Sequence, residues 1–436
     1  MLVKNTLWLL SEKLIKLLGA VVISALIARH LQPDGFGTLN FYLAMLSIAS
    51  VLSSLGLNRI VVREVASSHN KAETASLVKT ALYLRLFASF LVFFIAVVSA
   101  NLFVPQHQGY YSAIVFICLI FNASEILDLY QQGISRFKVV SQVRLIAFVI
   151  SAAIKLTLVM FKVDLVWFLV ANLVEYIVIA LLIYKYCARY NSQSILAAGV
   201  FSPTKVKILV SESWPEIIAG FSAILFLKMD QIMLFYLSSE QQVGIYSAAA
   251  RLSEAWYFIP MAIVAATFPR LVELKKTNMA SYLKGIKFLL NFMVIFSIVV
   301  SLVVMFIGDK AIQIIFGDAF SDSSSVLVIH TWSSIFLCIG LVSGSWLVTE
   351  KRIKLNLYRN LVGLSVNFFL NMLLIPRYGA IGASWAMVFG LASAYLFFNL
   401  FNKDLNWIFF EVVKTPCVLL KREFTAFLWR QFRNAK

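Results

Sequence analysis

Long apolar runs constrain the fold of this chain more than any other feature. Stretches such as LYLRLFASFLVFFIAVVSANLFV and FLLNFMVIFSIVVSLVVMFI hold about 20 residues with almost no charge, the length that an α-helix needs to cross about 30 Å of hydrocarbon. The composition agrees, because 61% of the 436 residues are hydrophobic and only 14% are charged, against about 25% charged in soluble domains. The chain is therefore predicted to be an all-α integral membrane protein.

Apolar runs bounded by Gly, Pro, Asn or charged residues predict about twelve transmembrane helices. They are expected near residues 7–28, 38–57, 80–102, 110–131, 140–161, 165–186, 209–237, 244–268, 285–307, 325–348, 355–375 and 380–401. A long mid-chain connection separates six spans from six. This predicts an N-terminal six-helix lobe at 1–187, a cytoplasmic linker at 188–207 and a C-terminal six-helix lobe at 208–402. Residues 403–436 interleave aromatic residues with Lys and Arg, which is typical of an interfacial tail on the cytoplasmic surface.

Basic residues in the connections predict the orientation, because Lys and Arg are retained on the cytoplasmic side. Of the 38 Lys and Arg, 28 fall in one set of alternating connections, 4 in the opposite set and 6 within spans. The first set includes both termini, which are therefore predicted to be cytoplasmic. The net charge of +17 then lies at a membrane surface facing anionic lipids, and no soluble basic domain indicates nucleic-acid binding.

The sequence lacks the motifs of the common enzyme classes. No Gly-rich phosphate-binding loop precedes a Lys-Thr or Lys-Ser pair, and the outer connections are too short for a catalytic domain. The four cysteines are scattered, so we expect no disulfide and no metal site. The four histidines are isolated and are expected at the surface or the membrane interface: His30, His69, His107 and His330. A secondary transporter without a cofactor, apart from a coupling proton or Na⁺, is the expected class.

Charged residues within the predicted spans are the candidate functional residues, because such charges are costly and usually face a bundle interior or a water-filled cavity. Lys155 and Glu175 lie at matched distances from the turn that joins their spans, which permits an interhelical pair. Asp230 and Arg251 are matched in the same way near mid-membrane. Structural pairing of this kind is the alternative to a functional role for each charge.

Some intramembrane cations have no obvious partner in the sequence, namely Lys13, Arg85 and Lys228, although Arg85 could instead extend to the cytoplasmic interface. Lys228 and Asp230 lie about 200° apart around one helix and cannot pair locally. Unpaired cations could bind a phosphate-bearing head group, while an acid takes up a coupling proton or ion. The candidate substrate-binding residues are Lys13, Arg85, Lys155, Lys228 and Arg251, and the candidate coupling or gating residues are Asp230, Glu125, Asp128 and Arg29.

Two outer corners resemble each other and indicate an internal repeat. LQPDGFGTLNFYLAML follows the first span and LSSEQQVGIYSAAARL follows the seventh, each a polar, acidic corner with Gly before an apolar run. Six spans per half would relate the halves by an axis along the membrane normal. The alternative is that both are ordinary outer hairpins.

Three segments carry a resemblance to a known family. ALIARHLQPDGFGTLNFYLAMLSIASVLSSLGLNRIVVREVA resembles the first hairpin of bacterial oligosaccharide flippases of the O-antigen (Wzx) type, within the multidrug/oligosaccharidyl-lipid/polysaccharide exporter superfamily. FLKMDQIMLFYLSSEQQVGIYSAAARL resembles the seventh and eighth spans of that family, and LIPRYGAIGASWAMVFG resembles its turn between the last two spans.

This resemblance implies a bacterial inner-membrane transporter with a central cavity that opens alternately to each side. The implied substrate is an undecaprenyl-diphosphate-linked oligosaccharide, moved from the cytoplasmic to the periplasmic leaflet, with a polysaccharide polymerase and chain-length proteins as expected partners. Cavity cations would engage the diphosphate. The alternatives are a drug exporter of the same superfamily, a lipid II flippase, and a membrane-bound polysaccharide polymerase or ligase.

Overall fold

The computed structural model describes residues 2–68, 70–103, 109–190, 197 and 199–419, with side chains from residue 14 to residue 415 except those of residues 190 and 353. The described chain is helical and forms two compact units, Met1–Gly244 and Ile245–Lys436. The lobe limits predicted at 188–207 follow from chain connectivity and stay a prediction.

The first unit contains nine helices, within the described residues, that follow the apolar runs. In chain order they are α1 (Leu2–Ser54), α2 (Leu57–Ser67), α3 (Lys71–Phe103), α4 (Gly109–Phe116), α5 (Cys118–Asn122), α6 (Glu125–Gly133), α7 (Phe137–Met160), α8 (Leu165–Tyr190) and α9 (Pro203–Leu237). Helices α4 to α6 are three pieces of the span predicted at 110–131. The core of this unit is built from apolar residues of α2, α3, α6 and α8.

The second unit begins within the next helix and continues through the described C-terminal residues. Its helices are α10 (Glu240–Ala255), α11 (Phe258–Thr277), α12 (Met279–Phe316), α13 (Ser323–Thr349), α14 (Ile353–Ala392), a π-helical turn (Ser393–Phe397), α15 (Phe398–Phe401) and α16 (Asn406–Leu419), with a 3₁₀ turn at Asp318–Phe320. The core lies among α11, α12, α13 and α16.

Ten helical stretches of the described residues are long and apolar enough to cross a membrane. Two of them contain a sharp corner. Gln32 in α1 has φ 59° and ψ 174°, and Gly379 in α14 has φ 54° and ψ −131°, so each of these helices is two spans. This gives twelve and confirms the predicted all-α membrane fold, while the cytoplasmic location of the termini stays a prediction.

The corner in α1 is held by local chemistry. Positive φ is costly for a residue with a Cβ atom, and at Gln32 this cost is offset by the side-chain amide, which donates to the carbonyl of Arg29 over 2.7 Å. Pro33 follows and cannot donate a backbone hydrogen bond. A corner at this position joins the first two spans without a long loop.

The tail is only partly surface-lying in the described residues. Helix α16 packs on α12, and Leu405 and Ile408 are fully buried in the core of the second unit. Asn291 in α12 donates to Glu411 over 3.0 Å and accepts from Thr415 over 2.6 Å. This part of the tail is therefore a structural component of its unit, and residues 420–436 of the predicted interfacial tail lie outside the described residues.

Candidate functional site

A cluster of four charges lies among α3, α6 and α7 of the first unit. Arg85 forms an ion pair with Glu125 and donates to Asn58 over 3.0 Å. Arg144 donates from Nε to Asp128 over 2.9 Å, and its NH2 lies 3.6 Å from Glu125. The two cations and two anions balance, which is the usual way to keep charges inside a helical bundle.

The exposure of these side chains separates two buried charges from two accessible ones. Arg85 and Asp128 are 1% exposed, whereas Glu125 is 26% and Arg144 is 29% exposed. The expectation that Arg85 has no partner, or extends to the interface, is therefore wrong. Arg85 is held in the bundle by a carboxylate, and Glu125 and Arg144 are the partly exposed members of the cluster.

A second arginine, Arg359, lies at a comparable position in the second unit but has different hydrogen-bond partners. Arg359 in α14 is 1% exposed. Its guanidinium donates to Ser343 over 2.6 Å, to the carbonyl of Gly340 over 3.0 Å and to Asn356 over 2.9 Å. The ring of Tyr395, in the π-helical turn, lies 4.8 Å from the guanidinium carbon. Neutral oxygens and an aromatic face therefore hold this cation, without an ion pair among the described residues.

The two arginine sites share their spacing along the chain. Arg144 reaches partners 16 and 19 residues earlier, Asp128 and Glu125, and Arg359 reaches partners 16 and 19 residues earlier, Ser343 and Gly340. In both cases the partners lie one helical turn apart on the preceding span. This supports the internal repeat, and it shows that the two copies differ: one carries carboxylates where the other carries a hydroxyl and a glycine.

The turns before these arginines repeat as well. Ser135 has φ 62° and Lys351 has φ 56°, and each is followed by an arginine that caps the next helix, Arg136 before α7 and Arg352 before α14. Arg352 forms an ion pair with Asp404, and this hydrogen bond raises the pKa of its guanidinium above the usual value. These turns place Arg144 and Arg359 at similar distances along the helix that follows the chain reversal.

Lys155 and Glu175 lie 3.9 Å apart between α7 and α8. This confirms the pair that their distances from the turn predicted. Lys155 also donates to Asn172 over 2.9 Å, one turn from Glu175 on the same helix. Lys155 is therefore neutralised in this conformation, and a ligand phosphate would compete with Glu175 for it.

The remaining predicted residues are placed separately. Lys228 is half-buried in α9 and forms no ion pair or hydrogen bond among the described residues, while Asp230 is fully buried. Arg251 is half-buried and belongs to the second unit, so its pairing with Asp230 stays a prediction. Arg29 is exposed beside the α1 corner. The side chain of Lys13 lies outside the described residues.

The two outer corners that resemble each other are in close backbone contact within the first unit. A Cβ on Gly37 would lie 1.8 Å from the carbonyl oxygen of Glu240, and a Cβ on Gly244 would lie 2.0 Å from that of Pro33. Thr38 donates to the carboxylate of Glu240. The glycines are thus required by a reciprocal close approach, which the sequence similarity alone did not reveal.

A cavity of about 440 Å³ lies at the other end of the first unit, lined by α2, α3 and α9. Glu64, Glu73 and Glu212 line it together with Lys205. Arg63 bridges Glu64 and Glu212 at its edge, and the hydrogen bond to Glu212 raises the pKa of the Arg63 guanidinium. An excess of carboxylates does not suit a phosphate, so this cavity is not part of the candidate substrate site.

The family model described as "Polysaccharide biosynthesis protein" matches residues 2–275. The chain belongs to that family. This confirms the family that the three motifs indicated. A protein of Shigella flexneri described as an O-antigen transporter is 23% identical over 400 residues, which cover 88% of this chain and 94% of that protein.

Solved structures agree on the fold of this family member. The lipid II flippase MurJ in an inward closed conformation has a TM-score of 0.73 at 12% identity, covering 97% of this chain and 99% of that one. An inward-facing multidrug resistance transporter of the MATE family, in the MOP superfamily, has a TM-score of 0.70 at 12% identity, covering 92% and 95%. At such identities the similarity establishes the fold alone.

Proposed function

We propose that this chain is a flippase that moves undecaprenyl-diphosphate-linked oligosaccharide repeat units from the cytoplasmic to the periplasmic leaflet of the bacterial inner membrane. The observation that carries the proposal is similarity to an O-antigen transporter over 94% of that protein's length, in a chain of twelve membrane spans. Such a protein is a transporter rather than an enzyme, and it would supply a polysaccharide polymerase with substrate.

The physical chemistry of the substrate explains why a helical bundle with internal charges is needed. Unaided flipping would carry sugar hydroxyls and a diphosphate through hydrocarbon, at a cost of several kcal/mol for each unsatisfied polar group. A hydrophilic cleft removes most of that cost while the polyprenyl tail stays in lipid. Cations on the helix faces that line the cleft would then bind the diphosphate.

Lys228 is the cation that best fits this role. It is half-buried without an ion pair among the described residues, so binding a phosphate does not first require breaking one. Lys155 and Arg144 are tied to carboxylates, and Arg85 is buried against Glu125. These paired residues would bind the diphosphate only if their carboxylates moved or were protonated.

Coupling to an ion gradient would use such a change in the protonation and pairing of a carboxylate. In this scheme Glu125, the accessible acid of the first-unit cluster, or Asp230 takes up a proton or Na⁺ and changes the pairing of its neighbours. Alternating access requires the outer corners at Gly37 and Gly244 to separate during the cycle. Arg29, exposed beside the first corner, is a candidate gating residue on the same side.

A deletion strain tests the function. Loss of the gene is expected to deplete surface polysaccharide and to accumulate lipid-linked repeat units in the cytoplasmic leaflet, with rescue by the wild-type chain. The fold is also that of a multidrug transporter, so the alternative is ion-coupled drug export. Drug sensitivity of the deletion strain with normal surface polysaccharide and no accumulated repeat units would contradict flipping and support export.

A further inference from the structure

The second unit buries an ionisable residue that the sequence pattern placed at a surface. His330 lies in α13 and is fully buried, so the expectation of a surface or interfacial histidine is wrong. Its Nδ1 lies 2.6 Å from the hydroxyl of Ser253 in α10. The ring of Tyr246, two turns before Ser253, packs edge-on at 5.5 Å between ring centroids. The imidazole is thus fixed between two helices.

The serine can satisfy either protonation state of the histidine. Ser253 donates to the carbonyl of Ala250 over 3.1 Å, which leaves its oxygen able to accept a hydrogen bond from the Nδ1–H of the imidazolium. When Nδ1 is deprotonated, the same hydroxyl can rotate and donate to it, because a hydroxyl is both donor and acceptor. The hydrogen bond between Ser253 and His330 can therefore be kept in both protonation states by rotation of one O–H bond.

Hydroxyl groups continue from this pair along the same two helices. Tyr257, four residues after Ser253, has its hydroxyl 3.2 Å from that of Ser333, three residues after His330. Tyr257 lies at the break between α10 and α11. The four side chains form two neighbouring hydrogen-bonded pairs within an apolar bundle.

Other ionisable groups near these two hydrogen-bonded pairs come from the elements that pack on α13. Helix α10 contributes Tyr246, and it also carries Arg251 and Glu254, whose carboxylate lies near Tyr257. Helix α13 itself contributes Cys338. From α12 the contact at this level is the hydroxyl of Ser301, which donates to the carbonyl of Thr331. Glu254 is half-buried and is the acid nearest along the chain to Tyr257.

We propose that His330 is a proton-binding site of the second unit, with the hydroxyl of Ser253 as the hydrogen-bond partner of its Nδ1. The inference rests on the proposed function in one respect, that proton binding here drives transport. Histidine is the side chain whose ordinary pKa lies near neutrality, and ionisable residues within spans, His among them, are typical of proton relays. Binding adds a positive charge between α10 and α13, which changes the electrostatic energy of that contact.

The small number of histidines permits a direct test of proton binding. The chain has 4 histidines, so replacing the other three with Gln leaves His330 as the only imidazole for ¹⁵N NMR in nanodiscs. We expect the ring nitrogens of this residue to show a pH-dependent ¹⁵N shift, which is the signature of imidazole protonation. The midpoint of that shift should change by about half a unit or more in Ser253→Ala, because the hydroxyl bonds to the charged and the neutral ring with different strength. Absence of a pH-dependent shift over the pH range in which the protein stays folded would overturn the proposal.

A matched control separates this effect from general repacking. Ser334→Ala also removes a fully buried hydroxyl that donates to a carbonyl of its own helix, but that hydroxyl does not contact the imidazole. The midpoint of the His330 shift in Ser334→Ala is expected to match that of the parent protein in which His330 is the remaining histidine. Equal shifts in Ser253→Ala and Ser334→Ala would contradict a specific role for Ser253.

Transport assays then test the coupling. Wild-type flipping in proteoliposomes should rise several-fold under an imposed pH gradient, and His330→Gln should flip at one slow rate with or without the gradient. If wild type flips but His330→Gln keeps the same gradient dependence, coupling through His330 is wrong. If His330 titrates but wild type flips no lipid-linked sugar, the proposed function fails while the proton site stands.

Discussion

Arg144 donates to Asp128 over 2.9 Å across 16 residues of chain, and Arg359 donates to Ser343 across the same separation. The two sites thus share the spacing between the arginine and its partner but differ in the chemistry of the partner groups. In the first unit the arginine is matched by carboxylates, whereas in the second it is matched by neutral oxygens and an aromatic ring. The first site can change its charge balance by protonation, and the second cannot.

Replacing Asp128, the buried acid of the first-unit cluster, should destabilise the protein. Asp128→Ala removes the carboxylate to which Arg144 donates, and we expect the free energy of unfolding to fall by about 2 kcal/mol, less than for a fully buried pair because Arg144 is partly exposed. The melting temperature in detergent measures this. Glu273→Ala is the control, since its pair with Arg270 is exposed and should contribute about 0.5 kcal/mol. Equal losses in both variants would contradict the account.

The repeat predicts that the second unit accepts a carboxylate at one position. Ser343→Asp places an acid opposite Arg359, as Asp128 lies opposite Arg144, so the protein should still fold and insert. Ser334→Asp is the control, because Ser334 is equally buried but contacts no arginine in the described chain. It should reduce the folded yield several-fold, since a buried unpaired charge is strongly destabilising. Fluorescence-detected size exclusion compares the two, and the reverse order would contradict the repeat.

The close approach of the outer corners predicts sensitivity to a single methyl group. Gly244→Ala would place Cβ 2.0 Å from the carbonyl oxygen of Pro33, so this conformation should be destabilised and the melting temperature lowered by several degrees. Gly308→Ala is the control, because its Cβ would meet its nearest neighbour at an ordinary 3.6 Å. A Gly244→Ala variant as stable as Gly308→Ala would show that the contact is not maintained in the membrane.

A crosslink at the same corners tests whether they must separate. Thr38→Cys with Glu240→Cys replaces two side chains that touch, in a background with the natural cysteines changed to Ser. Oxidation should reduce polysaccharide export to the level of a null strain, and reductant should restore it. Full export with the disulfide formed would contradict alternating access through this contact.

Lys228 is the residue whose loss should affect substrate more than fold. Lys228→Ala should lower complementation of the deletion strain about tenfold, as expected for one lost charge-assisted hydrogen bond, while membrane insertion and melting temperature stay unchanged. Lys228→Arg should restore part of the activity. Lys284→Ala, at an exposed position of α12, is the matched control. Full activity of Lys228→Ala would exclude contact with the diphosphate.

Pairs within one hairpin could be predicted from the sequence because two spans and a short turn fix the depth of each residue. Lys155 with Glu175 was found in this way. The same comparison applies to Arg144 with Asp128 and to Arg359 with Ser343, but both arginines lie near the predicted cytoplasmic ends of their spans, where a position in the loop fits the sequence equally well. The signal existed in the spacing and was obscured by the uncertain span ends.

Contacts between distant spans had no such signal. Ser253 and His330 are 77 residues apart and come from helices that are not consecutive, so neither periodicity nor turn arithmetic could place them together. The same applies to Gly37 and the backbone of Glu240, which are distant in the sequence and come into contact only in the folded first unit. Breaks such as that at Tyr257 also escaped the hydropathy pattern, which stays apolar through them.

The measurement that tests the central claim most directly is leaflet exchange in proteoliposomes of the purified full chain. A labelled undecaprenyl-diphosphate oligosaccharide is placed in both leaflets, and a membrane-impermeant glycosidase removes label from the outer one. The account predicts that protein-containing vesicles lose nearly all label while vesicles with inactive protein or none lose about half. A loss of half in every preparation, with the purified protein correctly folded, would contradict it.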